Sequence, residues 1–289
     1  MRAKLFIAGA GLIALAGFLM LGTGCSDSTT SWTAGSETDY DYMLVQPQIN
    51  HVIDSAVASF SSAFDSYNQM PTGDNDDDVI IANYAPGGGD VNYTYNYYAS
   101  TGWHEIWVAN EAEDFSMYVR DSVQFRDNGQ FVEDASGADY MNYIHNWIFE
   151  TDNSLTEETY ADWTGRSQLQ FTYLDQQTCY LDGSNHSVIN WHYIATDTTI
   201  EAQFESNATY RDIGFNQVPN YGWASGCPVS GIMNITMTQA YTLTVDDTPA
   251  EFSYDWNVRI TFENGSADVR VTHNNFSWEY TRDLCTVVE

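Results

Sequence analysis

The sequence predicts a mainly antiparallel β domain that is preceded by one amphipathic helix. Three observations support this fold class. From residue 92 onward apolar and polar residues alternate with a period of two, Asn-Gly pairs follow two of the alternating runs, and an earlier segment repeats with helical spacing. Strands with one apolar and one polar face are typical of antiparallel sheets, because parallel sheets are usually covered on both faces.

The clearest alternating run covers residues 252–262. Its apolar residues, which all face one side, are Phe252, Tyr254, Trp256, Val258, Ile260 and Phe262. Similar runs lie at 115–125, 169–173, 200–210 and 233–245. Together they predict a meander of about ten strands, several of them unusually long. Such strands should curl, and the sequence leaves open a curved sheet, a barrel or a sandwich.

Turn signals agree with a meander. Asp127-Asn128-Gly129 and Glu263-Asn264-Gly265 predict tight hairpins, because Asn and Gly both accept positive φ. Segments 182–185 and 246–249 predict two further reversals. A barrel that spans a membrane also has long alternating strands, but the dense acidic and amide residues on the polar faces argue against one.

One helix is predicted over residues 48–68. Its apolar residues recur at spacings of three and four, at Ile49, Val52, Ile53, Ala56, Val57, Phe60, Ala63, Phe64 and Tyr67. Pro47 suits the first turn, and the segment 70–73, Met-Pro-Thr-Gly, ends the helix. We expect the apolar side of this helix to pack on the sheet.

The N-terminus predicts export. Arg2 and Lys4 precede an uncharged apolar run at 5–21, and small residues follow it. This order is typical of a secretory signal peptide over residues 1–24. An uncleaved membrane anchor is the alternative, since the run is close to the shortest helix that spans a bilayer.

The segment 21–25, Leu-Gly-Thr-Gly-Cys, resembles the lipobox of bacterial lipoproteins, although Gly22 stands where that family prefers Leu, Ile or Val. The resemblance implies that Cys25 carries lipid and becomes the new N-terminus. Ser26 then implies sorting to the outer membrane. Residues 25–45 are mostly small and polar, so we predict a flexible tether there and a single domain over 46–289.

The charge excludes one class of partner. Arg2 and Lys4 leave with the signal peptide, so seven basic residues remain against 40 acidic ones, a net charge of 7 − 40 = −33. Such a field repels phosphate groups and anionic lipid surfaces, which excludes nucleic-acid binding. Membrane attachment must therefore come from the lipid. The sequence identifies no protein partner.

Four cysteines are present, and three remain if Cys25 is lipidated. At most one of the pairings among Cys179, Cys227 and Cys285 can then form. We predict a disulfide between Cys227 and Cys285, because it would fasten the C-terminus and an oxidising envelope permits it.

An acidic run offers a calcium hypothesis. Asp74, Asp76 and Asp78 alternate along residues 74–78, and carboxylates are ligands that calcium prefers. The EF-hand pattern fails, because its Gly and Glu positions hold Val79 and Ala85. A solvated acidic loop is the alternative interpretation. No other cofactor is predicted.

Aromatic residues give the remaining functional hypothesis. They crowd on two predicted strands, at Tyr93, Tyr95, Tyr97, Trp103 and Trp107. Tyr and Trp beside polar side chains suit a sugar, which has apolar faces and hydroxyl edges. Aromatic residues that simply fill a core are the alternative.

The sequence contains no catalytic or nucleotide-binding motif, so it leaves enzymatic activity uncertain and favours a non-catalytic role. The leading hypothesis is an envelope protein that binds carbohydrate through a concave aromatic face or serves as a structural component. Two alternatives stay open. A polysaccharide hydrolase would need two carboxylates at a cleft, and a carrier of lipid or hydrophobic cargo would need an apolar cavity.

Overall fold

The computed structural model describes residues 33–34, 40–69, 90–112, 115–151, 159–195, 198–217, 223, 227–245 and 247–285. It confirms the predicted fold class, a mostly antiparallel sheet with one N-terminal helix. The helix, α1, spans Tyr40–Gln69. The strands are β1 Thr33–Ala34, β2 Asp90–Tyr98, β3 Trp103–Ala112, β4 Phe115–Asp127, β5 Gln130–Val132, β6 Tyr140–Thr151, β7 Thr159–Thr172, β8 Thr178–Ala195, β9 Thr198–Asn216, β10 Ser230–Val245, β11 Thr248–Glu263, β12 Ser266–His273 and β13 Phe276–Asp283.

All strands form one sheet in the order β1-β13-β12-β11-β10-β9-β8-β7-β6-β4-β3-β2, and β5 pairs only with the end of β4. Apart from β1 and β5, each strand therefore lies beside its neighbour in the sequence, which confirms the meander. The two-residue strand β1 runs parallel to β13, while the other pairs are antiparallel. Strands β1 and β2 stand at opposite ends of the described sheet, so it is an open sheet rather than a closed barrel or a sandwich.

Both Asn-Gly hairpins form as predicted. Asn128 and Gly129 have φ angles of 49° and 78°, and Asn264 and Gly265 have 50° and 83°. Positive φ at both central residues is the geometry of the tight hairpin turn whose twist matches that of the strands. A reversal also separates β10 from β11, at the predicted segment 246–249.

The reversal predicted at 182–185 is wrong, because β8 continues through these residues. The pairing with β9 shifts register between Leu181 and Gly183. A β-carbon on Gly183 would collide with the carbonyl oxygen of Gln168. The turn-like residues here therefore serve a local irregularity inside a long strand, a role that glycine often has.

The sheet curls around α1. Tyr280 on β13 donates a hydrogen bond to Asn50 (2.9 Å), whereas the ring of the next helix residue, His51, lies 5.5 Å from Trp163 on β7. In a flat sheet β13 and β7 would be six strand spacings apart, about 29 Å. A helix is only about 10–12 Å wide, so both strands can touch it only if the sheet wraps around it.

Aromatic residues of α1 fill the concave side. Phe60 lies edge-on against Tyr210 (5.2 Å between ring centroids), and Phe64 contacts Phe171 and Phe215 (5.0 Å each). Both helix residues are fully buried. The apolar side of the helix and the apolar face of the sheet thus form one core.

Helix α1 begins at Tyr40 rather than at the predicted residue 48. Tyr42 stacks on Trp278 (5.0 Å, 3° between ring planes), and Val45 is fully buried. Pro47 consequently lies inside the helix and not in its first turn. Pro47 costs the helix one backbone hydrogen bond. Packing of Tyr42 and Val45 against distant residues stabilises the extra turns, and the local sequence does not reveal that packing.

The predicted signal peptide, Cys25 and residues 26–32 and 35–39 of the predicted tether lie outside the described residues. Within the described part of the chain, α1 is not long and apolar enough to cross a membrane.

Candidate ligand-binding site

A cavity of about 750 Å³ lies towards one end of strands β8 to β11. Three consecutive residues of each strand line it, namely 190–192, 201–203, 240–242 and 251–253. Its volume falls within the range of small-molecule binding sites.

The central row of the cavity is aromatic. The register aligns Trp191, Ala202, Tyr241 and Phe252 across the four strands. The rings of Tyr241 and Phe252 stack at 4.7 Å. Ala202 is the only small side chain of the row. Tyr241 lies four residues from Met237 on β10, so both side chains point to the same face of the sheet. Met237 is buried in the core, so this row belongs to the core-facing side.

The two flanking rows are polar and belong to the opposite face of the sheet. They contribute eight of the twelve lining residues. Gln203 donates a hydrogen bond to Asn190 (3.0 Å), and Nδ1 of His192 lies 3.7 Å from the carboxylate of Glu201. Ala240 is the small residue of these rows. The lining as a whole therefore combines apolar and hydrogen-bonding groups.

Two carboxylates belong to the lining. Glu201 on β9 and Glu251 on β11 are both register partners of Thr242 on β10. Two strand spacings separate their backbones, about 10 Å. No lining residue is Arg or Lys, so the cavity has no cation to attract an anionic ligand.

The aromatic residues predicted to bind ligand are divided between two faces of the sheet. The register pairs Tyr95 and Tyr97 with Ile106 and His104, which are both buried on the concave side. The side chain of Tyr93 lies outside the described part of the structure. Trp103 and Trp107 occupy the alternate positions of β3, on the convex side. Because α1 fills the concave side, the predicted set does not form one concave binding face.

Tyr95 and Tyr97 surround a buried histidine. The hydroxyl of Tyr95 lies 2.8 Å from Nδ1 of His104, and the ring of Tyr97 lies 4.6 Å from the imidazole. His104 is fully buried. Burial lowers the pKa of His104 from 6.5 to about 4, although a backbone contact with Glu133 opposes this. Its imidazole is therefore neutral near pH 7.

Trp107 is accessible but already has a partner on the convex face. Its side chain is 45% exposed, and the guanidinium of Arg120 lies 4.6 Å from its ring centroid. Arg120 also donates to Glu105 at 2.6 Å. A cation over an indole ring with a carboxylate beside it is a stabilising surface arrangement.

A buried carboxylate lies on the concave face between β4 and β6. Asp121 is fully buried; it accepts a hydrogen bond from Tyr143 (3.0 Å), and Nδ1 of His145 lies 2.5 Å from it. The His145 ring stacks on Trp147 at 4.9 Å. The alternation pattern gave no signal for this group, because a lone Asp in a strand resembles any surface acid.

The predicted disulfide between Cys227 and Cys285 is confirmed. Cys179 is buried and unpaired by any disulfide, and burial raises the pKa of its thiol well above the ordinary value. A thiol held protonated and out of solvent is a poor nucleophile. Cys179 is therefore a core residue.

The proposed calcium ligands Asp74, Asp76 and Asp78 lie outside the described residues. Within the described ranges, no group of three or more His, Cys, Asp or Glu side chains is placed to hold a metal ion.

Sequence reasoning missed the cavity, although Tyr241 and Phe252 stood in correctly predicted strands. Their alternation marked them as core residues, and Trp191 belonged to no predicted strand. The missing signal was the register between β9 and β10, which sequence periodicity does not contain.

The chain resembles no characterised protein closely enough to place it in a family. No family profile, curated protein or solved structure matches it.

Proposed function

We propose that this protein is a non-catalytic carbohydrate-binding protein of the cell envelope, and that the cavity at the end of β8 to β11 is its binding site. The observation that carries the proposal is that the lining contains both kinds of residue: the aromatic residues Trp191, Tyr241 and Phe252, and polar residues such as Asn190, Gln203 and His192 in the alternate rows. Sugars present apolar ring faces and hydroxyl edges, so they need both kinds of group.

The composition of the cavity favours carbohydrate over the other ligands considered. A carrier of lipid needs a mainly apolar cavity, whereas polar and apolar groups contribute comparably to this lining. An anionic ligand would meet Glu201 and Glu251 without a lining cation and would also face the strongly negative charge of the chain. A neutral glycan avoids both penalties.

We also propose that Cys25 carries a lipid anchor and that the domain is held at the outer membrane. The lipobox-like segment 21–25 and Ser26 support this location. Mass spectrometry of the protein from a membrane fraction tests it. A mass increase on the peptide that begins at Cys25 is expected, and an unmodified Cys25 would contradict the anchor.

The binding test is a thermal-melt panel with neutral oligosaccharides, phospholipid vesicles, and calcium against an EDTA control. A ligand at about 100 times its dissociation constant adds about 2.7 kcal/mol, which raises the melting temperature by a few degrees. We expect a shift with oligosaccharide only. A shift with phospholipid alone would favour the carrier, and one with calcium alone would favour a cation site at Asp74–Asp78.

Two variants test whether the sugar binds in the cavity. Trp191→Ala should abolish the oligosaccharide shift, because it removes the stacking surface of the central row. Trp107→Ala is the matched control: it removes a tryptophan from the opposite part of the sheet and should leave the shift intact. Equal loss in both variants would contradict binding in the cavity.

A polysaccharide hydrolase is the second candidate, because Glu201 and Glu251 flank Thr242 in one row. Hydrolysis of a glycoside uses two carboxylates, one that protonates the leaving oxygen and one that activates water or attacks the sugar. A reducing-sugar assay on polysaccharide substrates tests this. Activity that Glu201→Gln and Glu251→Gln each remove would establish the enzyme, whereas binding without release of reducing sugar agrees with the main proposal.

A further inference from the structure

A row of aromatic residues is exposed on the convex face of the sheet, at the end of β8 opposite the cavity. The register aligns Phe131, Arg126, Tyr140, Thr172 and Tyr180 on β5, β4, β6, β7 and β8. Arg126 follows the buried Phe125 on β4, so the row lies on the convex side. Phe131 is 47% exposed and Tyr180 is 40% exposed, so a ligand in solvent can reach both rings. We call Phe131, Tyr140, Tyr180 and Arg126 the aromatic strip.

The guanidinium of Arg126 is held between two rings of the strip. It lies 4.9 Å from the ring centroid of Phe131 on one neighbouring strand and 5.3 Å from that of Tyr140 on the other. A cation is attracted to the faces of aromatic rings. Its Nη2 also donates a hydrogen bond to Gln124 (3.2 Å). Rings and hydrogen bond together fix the position of the positive charge.

A network of side-chain amides supports the strip. Gln124 is only 3% exposed; it accepts a hydrogen bond from Asn142 (2.9 Å) and donates one to the carbonyl oxygen of Thr101 (2.7 Å). Asn142 in turn accepts a hydrogen bond from the hydroxyl of Tyr140 (2.7 Å). Side chains that are already ordered lose less freedom when a ligand binds, so this support favours binding.

The charge of Arg126 is not neutralised by the chain. Among the described residues no carboxylate lies within ion-pair distance of its guanidinium. Two neighbouring acids, Asp127 and Asp139, accept hydrogen bonds from Asn128 instead. The side-chain amide of Asn128 donates to Asp127 (2.7 Å), and its backbone N–H donates to Asp139 (3.2 Å). The positive charge is therefore left for a ligand.

This chemistry restricts the ligand to one class. Aromatic rings stack on the apolar faces of sugars, and a guanidinium pairs with a carboxylate through charge-assisted hydrogen bonds. The negative chain repels a densely charged polymer. Charges farther than about 8 Å are largely screened at physiological ionic strength, so a single carboxylate in contact with Arg126 is attracted. Four strand spacings, about 19 Å, separate Phe131 from Tyr180, which suits an oligosaccharide rather than a single sugar.

We propose that the aromatic strip is a second binding site, which takes an acidic oligosaccharide. Its sugar rings stack on Phe131, Tyr140 and Tyr180, and its carboxylate pairs with Arg126. The site goes beyond the proposed function, because the cavity has no lining cation and suits a neutral sugar. The two sites lie at opposite ends of β8, so each stands without the other.

Calorimetric titration with two matched sugars tests the strip. The probes are cellotriose and cellotriouronic acid, in which one hydroxymethyl group of cellotriose is oxidised to a carboxylate. Both are titrated into wild type and into Trp191→Ala, which disables the cavity. In Trp191→Ala we expect cellotriouronic acid to bind at least tenfold more tightly than cellotriose. Equal affinities in that variant, or no binding of cellotriouronic acid, would overturn the strip. Cellotriose binding that Trp191→Ala leaves unchanged would instead contradict the cavity.

A charge-matched pair of variants locates the carboxylate. Arg126→Gln should weaken the binding of cellotriouronic acid by tenfold or more and remove its advantage over cellotriose. Arg270→Gln is the control, because it removes an exposed arginine from β12 on the same face and should leave the affinity unchanged. Equal loss in both variants would show a general effect of charge and would overturn the site.

A third variant tests the stacking without disturbing the amide network. Tyr180 is exposed and lies two strands from Tyr140, so Tyr180→Ala should keep the melting temperature of wild type. It should weaken cellotriouronic acid severalfold, because one stacking surface is lost. A stable Tyr180→Ala protein that binds this sugar like wild type would contradict the strip.

Discussion

The indole ring of Trp147 lies directly over the backbone of Gly165, its register partner on the neighbouring strand. A β-carbon at residue 165 would overlap the ring. The glycine is therefore required by the aromatic residue across from it, and this requirement predicts the effect of adding one methyl group.

Gly165→Ala should lower the free energy of unfolding by about 1–3 kcal/mol, the usual cost of overpacking. Urea unfolding measures it. The double variant Gly165→Ala with Trp147→Ala should lose less than the sum of the two single changes, because the clash is gone. Simple additivity would show that the contact with Trp147 is not the cause.

Loss of the disulfide should destabilise the protein strongly. Cys227 and Cys285 are 58 residues apart, and the chain-entropy relation gives about 4 kcal/mol for a loop of this length. The variant with serine at both positions should unfold at correspondingly lower urea. Cys179→Ala keeps the disulfide and serves as the control, so added reductant should destabilise it but not the double serine variant.

His104 should make stability depend on pH. Its folded pKa of about 4 lies below its ordinary value of 6.5, so between these values the unfolded chain binds more protons than the folded one. The contribution of His104 to the free energy of unfolding is fully present above pH 6.5. It is lost as the pH falls towards 4, by up to about 3 kcal/mol.

The difference between wild type and His104→Gln isolates this contribution, because the carboxylates titrate equally in both. Wild type should lose more stability than the variant between pH 6.5 and 4. His186→Gln removes an exposed histidine and should follow wild type. Parallel curves for wild type and His104→Gln would contradict a neutral buried imidazole.

Asp121→Ala should destabilise the protein by about 3 kcal/mol, because it removes the acceptor of Tyr143 and the neighbour of His145 in a buried site. Asp121→Asn keeps one acceptor oxygen and should cost less. Chemical unfolding at pH 7 distinguishes them. Equal losses would mean that volume, and not hydrogen bonding, determines the effect.

Local chemistry explains why much of the fold could be predicted. Alternation depends on each strand alone, as in 252–262, and the positive φ of Asn264 and Gly265 depends on two residues. The early start of α1 depends instead on Trp278, which is more than 200 positions away in the sequence. The turn predicted at 182–185 failed because only pairing with β9 determines that β8 continues there.

The candidate sites were less predictable for the same reason. The aromatic residues on β2 and β3 were recognised from the sequence. Which of them α1 covers depends on which side chains point to the concave face of the curled sheet. The cavity arises from an alignment of Trp191 with Tyr241 through Ala202, and no single strand encodes it. Arg126 also looked like an ordinary strand residue, since the two rings that flank it belong to other strands.

The wrapping of the sheet around α1 has a consequence for folding. Because the meander places sequence neighbours side by side, each hairpin closes a short loop at small entropic cost. The contacts of Asn50 and Asp54 with β13 instead close a loop of nearly the whole domain, 230 and 228 residues. Helix α1 and β13, the last strand described, thus contact each other, so the helix is fully enclosed only after β13 has been synthesised. Truncation at the C-terminus would therefore expose the N-terminal helix.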